Sequence, residues 1–136
     1  MKFAKVTSAL ILLAVIFSGC VPETNIHQVG YFKSSAKDRV FTARMSETAT
    51  LADVKAYAEN AAYTQGRMTA VYIYDHDARV PADGVTQASG VLQVNDVLDL
   101  PGLSAWHFVF MRYRNGQSAF VDCSTKQSHE LCRHNS

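Results

Sequence analysis

The chain has 136 residues, of which 48% are hydrophobic and 18% are charged, and its formal net charge is +1. This composition is typical of a single globular domain and excludes a disordered stalk. Lysine and arginine are scattered along the chain, so the sequence lacks the basic footprint of a nucleic-acid-binding protein.

The first nineteen residues have the pattern of a secretory signal peptide. Lys2 and Lys5 give a positive start, and the following residues up to Phe17 are largely apolar. The apolar run is too short to span a bilayer, which takes roughly 20 apolar residues. No second run of this kind occurs in the sequence, so we expect no transmembrane helix.

The end of this segment, Phe17-Ser18-Gly19-Cys20, is an apolar residue, two small residues and a cysteine. It resembles the lipobox of bacterial lipoproteins. The resemblance implies cleavage before Cys20 and acylation of that cysteine, which anchors the mature chain in a membrane. Val21 after the cysteine implies the outer membrane, with the domain facing the periplasm or the cell surface. An ordinary cleaved signal with an unrelated cysteine is the alternative.

Three parts of the chain follow from this interpretation. Residues 1–19 are the signal peptide, residues 20–30 are the lipidated N-terminus with a short tether, and residues 31–136 form one globular domain. Without Lys2 and Lys5 the 13 basic residues fall to 11, against 12 acidic residues, so the mature chain from Cys20 to Ser136 is nearly neutral.

The first half of the domain predicts a strand, a helix and a second strand. Residues 38–45 alternate in polarity, which is typical of a strand. Thr50, with Asp53 three residues later, predicts the start of a helix that ends at Gly66. Residues 67–75 are rich in β-branched and aromatic side chains and predict a central strand.

The second half predicts one more helix and a hairpin. The helix begins after Asp83 or Thr86 and ends before Pro101. Two alternating runs flank Asn115-Gly116, which predicts a hairpin with a two-residue loop that pairs Arg114 with Gln117. The order β-α-β-α-β-β predicts the α+β class, with two helices packed on a mainly antiparallel sheet.

The remaining cysteines, Cys123 and Cys132, form a pair if Cys20 is acylated. Because the compartments beyond the inner membrane are oxidising, we expect a disulfide between them. A zinc site that adds His129 and His134 is an alternative, but the spacing of the cysteines does not suit structural zinc. A redox pair would need C-x-x-C, which is absent.

A polar loop follows the predicted central strand. Asp75, His76 and Asp77 could together hold a cation. The calcium-loop pattern fails because Arg79 stands where a third ligand is needed, so a polar turn is the alternative interpretation. We interpret His107 as a surface or hydrogen-bonded sheet residue. The sequence therefore predicts no metal and no cofactor.

Aromatic side chains are the other candidate binding residues. Tyr72 and Tyr74 share one face of their strand, and Tyr113 and Phe120 are expected to share a face of the hairpin. If these faces coincide, the sheet presents an aromatic surface to a partner. Aromatic residues packed beneath a helix are the alternative.

The sequence contains no G-x-S-x-G, no H-E-x-x-H and no glycine-rich phosphate loop. We therefore expect a membrane-anchored accessory module that binds an envelope protein or has a structural role, and that does not bind nucleic acid. A variant of this hypothesis is an immunity or exclusion protein. The alternative is a small envelope hydrolase or metal-binding protein that uses the Asp75–Asp77 loop or Ser104.

Overall fold

The computed structural model describes residues 24–132, within which the chain forms five strands and three helices. In chain order these are β1 Ile26–Lys33, β2 Arg39–Met45, α1 Leu51–Glu59, β3 Thr69–Tyr74, α2 Asp83–Thr86, α3 Val91–Leu98, β4 Phe108–Arg112 and β5 Ser118–Asp122. The strands lie side by side in chain order. Strands β2 and β3 are parallel and the other neighbours are antiparallel. The predicted α+β class with a mainly antiparallel sheet is confirmed.

The sheet has a hydrophobic cluster on each face, because side chains alternate along every strand. On the α1 face, Phe41, Val71 and Phe110 pack with Val54 of α1. On the α3 face, strand residues such as Val109 pack with side chains of α2, of α3 and of the disulfide. The domain therefore has three layers, with the sheet in the middle.

Helix α1 begins as the sequence predicts. The Thr50 hydroxyl accepts a hydrogen bond from the Asp53 N–H (3.2 Å), and Asp53 Oδ2 accepts one from the Thr50 N–H (2.9 Å). These reciprocal bonds form a capping box. The Asn25 side chain donates a further hydrogen bond to Asp53 Oδ2 (3.0 Å), which joins the start of the helix to the segment before β1.

The predicted end of α1 is wrong, because the helix stops at Glu59 and not at Gly66. The Thr69 hydroxyl donates to the Ala62 carbonyl (3.3 Å), so the chain is already turning back towards β3. Gly66 lies in this connection with φ +74°, a conformation that glycine adopts without strain.

Strand β1 was not predicted, and it includes residues 26–30 of the expected tether. Ile26 at its start is buried. The pairing with β2 shifts between Gln28 and Gly30, and this bulge breaks the two-residue period by which a strand is recognised. The folded part of the chain therefore begins earlier than the sequence indicated.

The predicted second helix is divided into α2 and α3. Gly90 between them has extended backbone (φ −169°, ψ 168°) and occupies the N-cap position of α3. Neither Asp83 nor Thr86, the two residues predicted to cap this helix, is the N-cap of α3. Asp83 lies inside α2 after Ala82, and the Thr86 hydroxyl accepts a hydrogen bond from the Tyr31 N–H (3.2 Å). Thr86 therefore connects α2 to β1.

The hairpin forms around Asn115-Gly116 as predicted, but its loop has three residues. The Tyr113 N–H donates to the Gln117 carbonyl (2.8 Å), and the Gly116 N–H donates to the Tyr113 carbonyl (3.0 Å). The predicted pairing of Arg114 with Gln117 is wrong. A two-residue type I′ loop needs positive φ at both central residues, whereas in this loop only Gly116 has it (+86°).

This one-residue difference changes the face of every side chain in β5. Phe110 pairs with Phe120, and Val109 pairs with Val121. Phe120 therefore lies on the α1 face. The prediction that Phe120 shares a face with Tyr113 is wrong. Val121 packs on the α3 face, next to Cys123.

Candidate functional site

A cleft opens on the α3 face between α3 and the loop closed by the disulfide. Its floor includes Tyr72 of β3, Met111 of β4 and Trp106, which lies just before β4. Tyr72 faces the cleft because alternation along β3 places it on the same side as Ala70. Ala70 also lines the cleft, and its small side chain leaves room above the sheet. We call this feature the Trp106 cleft.

Helix α3 forms one wall of the Trp106 cleft. Val91, Asn95 and Leu98 line it, at positions i, i+4 and i+7 of the helix. This spacing places all three side chains on one side of the helix. The cleft side of α3 therefore carries an amide between two apolar residues.

Trp106 connects the sheet to the opposite wall. Its indole Nε1–H donates a hydrogen bond to the Leu131 carbonyl (3.0 Å). Its ring meets Tyr72 edge to face, with ring centres 4.8 Å apart. The Trp106 side chain is thereby held in one orientation by contacts to both β3 and the disulfide loop.

The predicted disulfide is confirmed, and its loop is the second wall of the cleft. Cys123 and Cys132 are joined, with 5.3 Å between their Cα atoms, and both are buried. The Leu131 N–H donates to His129 Nδ1 (3.1 Å), and the Cys132 N–H donates to the His129 carbonyl (2.8 Å). Because both sulfurs are consumed, the alternative zinc site is excluded. His134, its fourth residue, lies outside the described residues.

The size and charge of the Trp106 cleft limit what it can accept. Its volume is about 230 Å³, which is smaller than the roughly 300–1,000 Å³ of typical small-molecule sites. Asp99 and Glu130 contribute carboxylates to its lining, and no lysine or arginine of the described chain lines it. The cleft therefore suits one large apolar side chain with a positive charge nearby.

Tyr74, which the sequence offered as part of an aromatic binding surface, does not lie at the surface. It is fully buried, and its hydroxyl donates to the Leu103 carbonyl (2.6 Å). Burial, with a smaller contribution from Tyr72, raises the pKa of Tyr74 above its ordinary value. Tyr74 is therefore a core residue that packs against Trp106 with 6.5 Å between ring centres.

Tyr113 is partly exposed at the hairpin loop, as a binding residue would be, but it does not line the Trp106 cleft. It lies beside Arg114 at the far end of β4. Of the three tyrosines singled out in the sequence, Tyr72 alone lines the cleft.

The structure does not bring the side chains of Asp75, His76 and Asp77 together. Asp75 Oδ1 lies 2.6 Å from His107 Nδ1, whereas His76 Nε2 lies 3.2 Å from Glu47 Oε1. Asp77 is exposed. In residues 24–132, no three histidine, cysteine, aspartate or glutamate side chains are placed to hold a metal ion. Asp75 and His76 of this loop therefore contact different partners, His107 and Glu47.

His107 lies between two carboxylates, a cluster that sequence analysis missed. Its Nε2 is 3.5 Å from Asp122 Oδ1, opposite the contact with Asp75. The Ser124 hydroxyl donates to Asp122 Oδ1 (2.6 Å) and so is not paired with the imidazole. The cluster joins the ends of β3, β4 and β5 through carboxylate–imidazole contacts, and its serine is hydrogen-bonded to Asp122.

Ser104, the other serine considered for hydrolysis, is buried, with 6% of its surface exposed. Cys20 and the rest of the expected signal lie outside the described residues. Among residues 24–132, no helix is long and apolar enough to cross a membrane.

No protein-family model, curated protein or solved structure matches this chain. A proposal for its function therefore depends on the lipobox resemblance and on the chemistry of its surfaces.

Proposed function

We propose that the protein is a membrane-anchored envelope lipoprotein that binds a segment of a protein partner in the Trp106 cleft. The observation that carries the proposal is an apolar cleft with an aromatic floor, two carboxylates in its lining and a disulfide-bonded wall. Such a cleft suits a peptide that inserts one large apolar side chain and carries a basic residue beside it.

The apolar surface continues outside the cleft along α3. Leu92 is 80% exposed. Asn95 and Asp99, which line the cleft, follow Leu92 by three and seven residues. Residues with this spacing share one side of a helix. A bound segment that fills the cleft would therefore also contact Leu92.

The strength of such an interaction can be bounded. Burying one large apolar side chain contributes roughly 1.5–3 kcal/mol, which alone gives weak binding. A lipid anchor on Cys20 supports function at this strength, because it confines the domain to the same membrane surface as its partner and raises their effective concentration. The accessory role and the immunity or exclusion role use the same cleft and differ in the partner.

Binding in the cleft can be measured through Trp106, which is the only tryptophan of the chain. We expect the acetylated tripeptide amide Lys-Phe-Lys to change the fluorescence of the mature protein saturably. Lys-Ala-Lys should bind at least about tenfold more weakly, because it lacks the ring. Glu-Phe-Glu should bind several-fold more weakly, because its charges repel Asp99 and Glu130.

Two variants test whether the signal comes from the cleft. Asn95→Phe fills the cleft and should abolish the fluorescence change. Ala52→Phe adds the same ring at an exposed position of α1, on the other side of the sheet, and should leave the change intact. Equal binding of Lys-Phe-Lys and Lys-Ala-Lys contradicts the proposal. So does the absence of a saturable change up to about 10 mM peptide, a Kd that corresponds to a binding free energy near −2.7 kcal/mol.

The anchor is tested by the intact mass of the protein extracted from membranes. We expect a diacylglyceryl or triacylglyceryl addition on Cys20, and we expect Cys123 and Cys132 to resist alkylation until a reductant is added. The matched variant Cys20→Ser should lose both the added mass and the membrane association. An unmodified chain in the membrane fraction would contradict the anchor.

A further inference from the structure

A second concave surface lies where two turns meet at one end of the sheet. The α1–β3 connection contributes Tyr63 and Arg67, and the hairpin loop contributes Tyr113 and Arg114. Arg112, the last residue of β4, also lines this surface, which we call the arginine groove. Its volume of about 680 Å³ is within the roughly 300–1,000 Å³ of small-molecule sites.

Arg112 is held at the edge of the groove by contacts with aromatic rings and with a backbone carbonyl. Its Cζ lies 4.0 Å from the centre of the Tyr63 ring, and its Nη2 donates to the Glu59 carbonyl (3.3 Å). Its Nη1 is buried and has no hydrogen-bond partner among the described residues. Leaving such a donor unpaired costs free energy, so a small movement of the Arg112 side chain that let Nη1 reach an acceptor in the groove would be favourable.

Arg114 is oriented from behind by a buried carboxylate. Its Nη2 donates to Asp38 Oδ2 (3.1 Å), while Asp38 Oδ1 accepts a hydrogen bond from the Met68 N–H (2.8 Å). The side chain of Asp38 is 6% exposed and that of Arg114 is 67% exposed. Asp38 therefore fixes one edge of the guanidinium, and the rest of that group faces the solvent at the groove.

The charge of the groove differs from that of the domain as a whole. Three arginines line it, and none of the described residues in its lining is acidic. The chain from Cys20 onward, in contrast, has 11 basic and 12 acidic residues. The groove is thus a local region of positive potential that favours an anion.

The groove also carries aromatic rings. Tyr63 is 56% exposed and Tyr113 is 37% exposed, and the two come from the two turns. Exposed rings beside arginines offer a flat surface for stacking, in addition to charge. A simple inorganic anion would use only part of this surface.

We propose that the arginine groove binds an oxyanion, phosphate or carboxylate, carried on a ring. The oxyanion accepts hydrogen bonds from Arg67, Arg112 and Arg114, as guanidinium groups favour. The ring stacks on Tyr63 or Tyr113. This site is separate from the Trp106 cleft and does not depend on peptide binding there.

The test is a titration of the ¹⁵N-labelled mature protein, followed by NMR, with four probes: phenyl phosphate, benzoate, inorganic phosphate and phenol. The amides of Gly66 and Gly116 report on the two turns that form the groove. We expect saturable shifts of both amides with phenyl phosphate or benzoate, and binding at least tenfold weaker for phenol and for the inorganic anion. A stronger response to phenyl phosphate identifies a phosphate ligand, and a stronger response to benzoate identifies a carboxylate ligand.

Arg67→Ala is the main variant, because this exposed residue can be replaced without exposing the core. It should weaken phenyl phosphate or benzoate binding at least tenfold. Arg79→Ala removes the same charge from an exposed loop outside the groove and should have no effect. The proposal is overturned if neither ring-borne anion shifts the glycine amides saturably, if phenol binds as well as phenyl phosphate, or if both variants weaken binding equally.

Discussion

At residue 30 the fold leaves no space for a side chain. A Cβ on Gly30 would lie 2.5 Å from Thr42 Oγ1 and 3.0 Å from the Pro81 carbonyl oxygen. These two atoms are themselves hydrogen-bonded at 2.6 Å, which connects β2 to the loop before α2. The bulge in β1 therefore depends on glycine at this position.

We predict that Gly30→Ala lowers the free energy of unfolding by about 1–3 kcal/mol, as expected for overpacking at a closed site. Gly90→Ala is the control, because a Cβ there has no neighbour within 4 Å and the backbone is extended. Urea denaturation of the two variants measures the difference. Equal losses in both would show that residue 30 is not the close contact described.

Asp53 predicts a dependence of stability on pH. The hydrogen bond from the Thr50 N–H, with further bonds from the side chains of Asn25 and Thr50, lowers the pKa of Asp53 below its ordinary 3.8. Since the unfolded chain then binds the proton more readily, the contribution of Asp53 to stability is full above pH 3.8. It is lost as the pH falls through the lowered pKa.

We therefore expect Asp53→Asn to be less stable than the unchanged protein at pH 7, with a difference that shrinks below pH 3.8. Thermal or urea denaturation of both proteins across this range measures it. A difference that stays constant down to pH 2 would show that the carboxylate charge does not stabilise the helix start.

At the scale of elements, the disulfide loop both stabilises the domain and forms a wall of the cleft. Closing a loop of this length contributes about 2.5–3 kcal/mol by restricting the unfolded chain. We predict this loss of stability for the double variant Cys123→Ser/Cys132→Ser, measured by urea denaturation. The unchanged protein with reductant should match the variant, and the variant should not respond to reductant. Unchanged stability would contradict the structural role of the disulfide.

Two elements show where sequence patterns were sufficient and where they were not. The start of α1 was predicted because Thr50 and Asp53 act on atoms three residues away, so the signal is local. The hairpin was located by Asn115-Gly116, but its register was not, because this dipeptide suits loops of two or three residues. Both faces of the hairpin are apolar in part, so polarity could not decide between the two registers.

At the scale of the whole molecule, the class of the fold could be predicted and the site could not. The order of helical and strand-like segments is enough to indicate an α+β domain. The Trp106 cleft combines Tyr72, helix α3 and Leu131, which are far apart in sequence and meet only after the sheet has formed. The pairing of His107 with Asp75, 32 residues apart, was missed for the same reason.

Contacts between residues far apart in sequence also explain why Tyr72 lines the cleft and Tyr74 does not. Tyr72 and Tyr74 have the same alternation and chemistry in the sequence, but Trp106 and Leu103 cover Tyr74 while Tyr72 lines an opening. Which side of a helix or loop remains uncovered is set by packing between distant elements, and no local pattern carries that information.

At the same scale, we have proposed that the Trp106 cleft binds a protein partner in the cell envelope. We would test this by photo-crosslinking in intact cells, with p-benzoylphenylalanine placed at Leu92, which is 80% exposed beside the cleft, or at Ala52 on the opposite side of the sheet. We predict one discrete adduct from position 92, absent from position 52 and suppressed by excess Lys-Phe-Lys peptide in isolated envelopes. If position 92 gives no adduct, or if both positions give the same adduct, the Trp106 cleft does not bind a partner there.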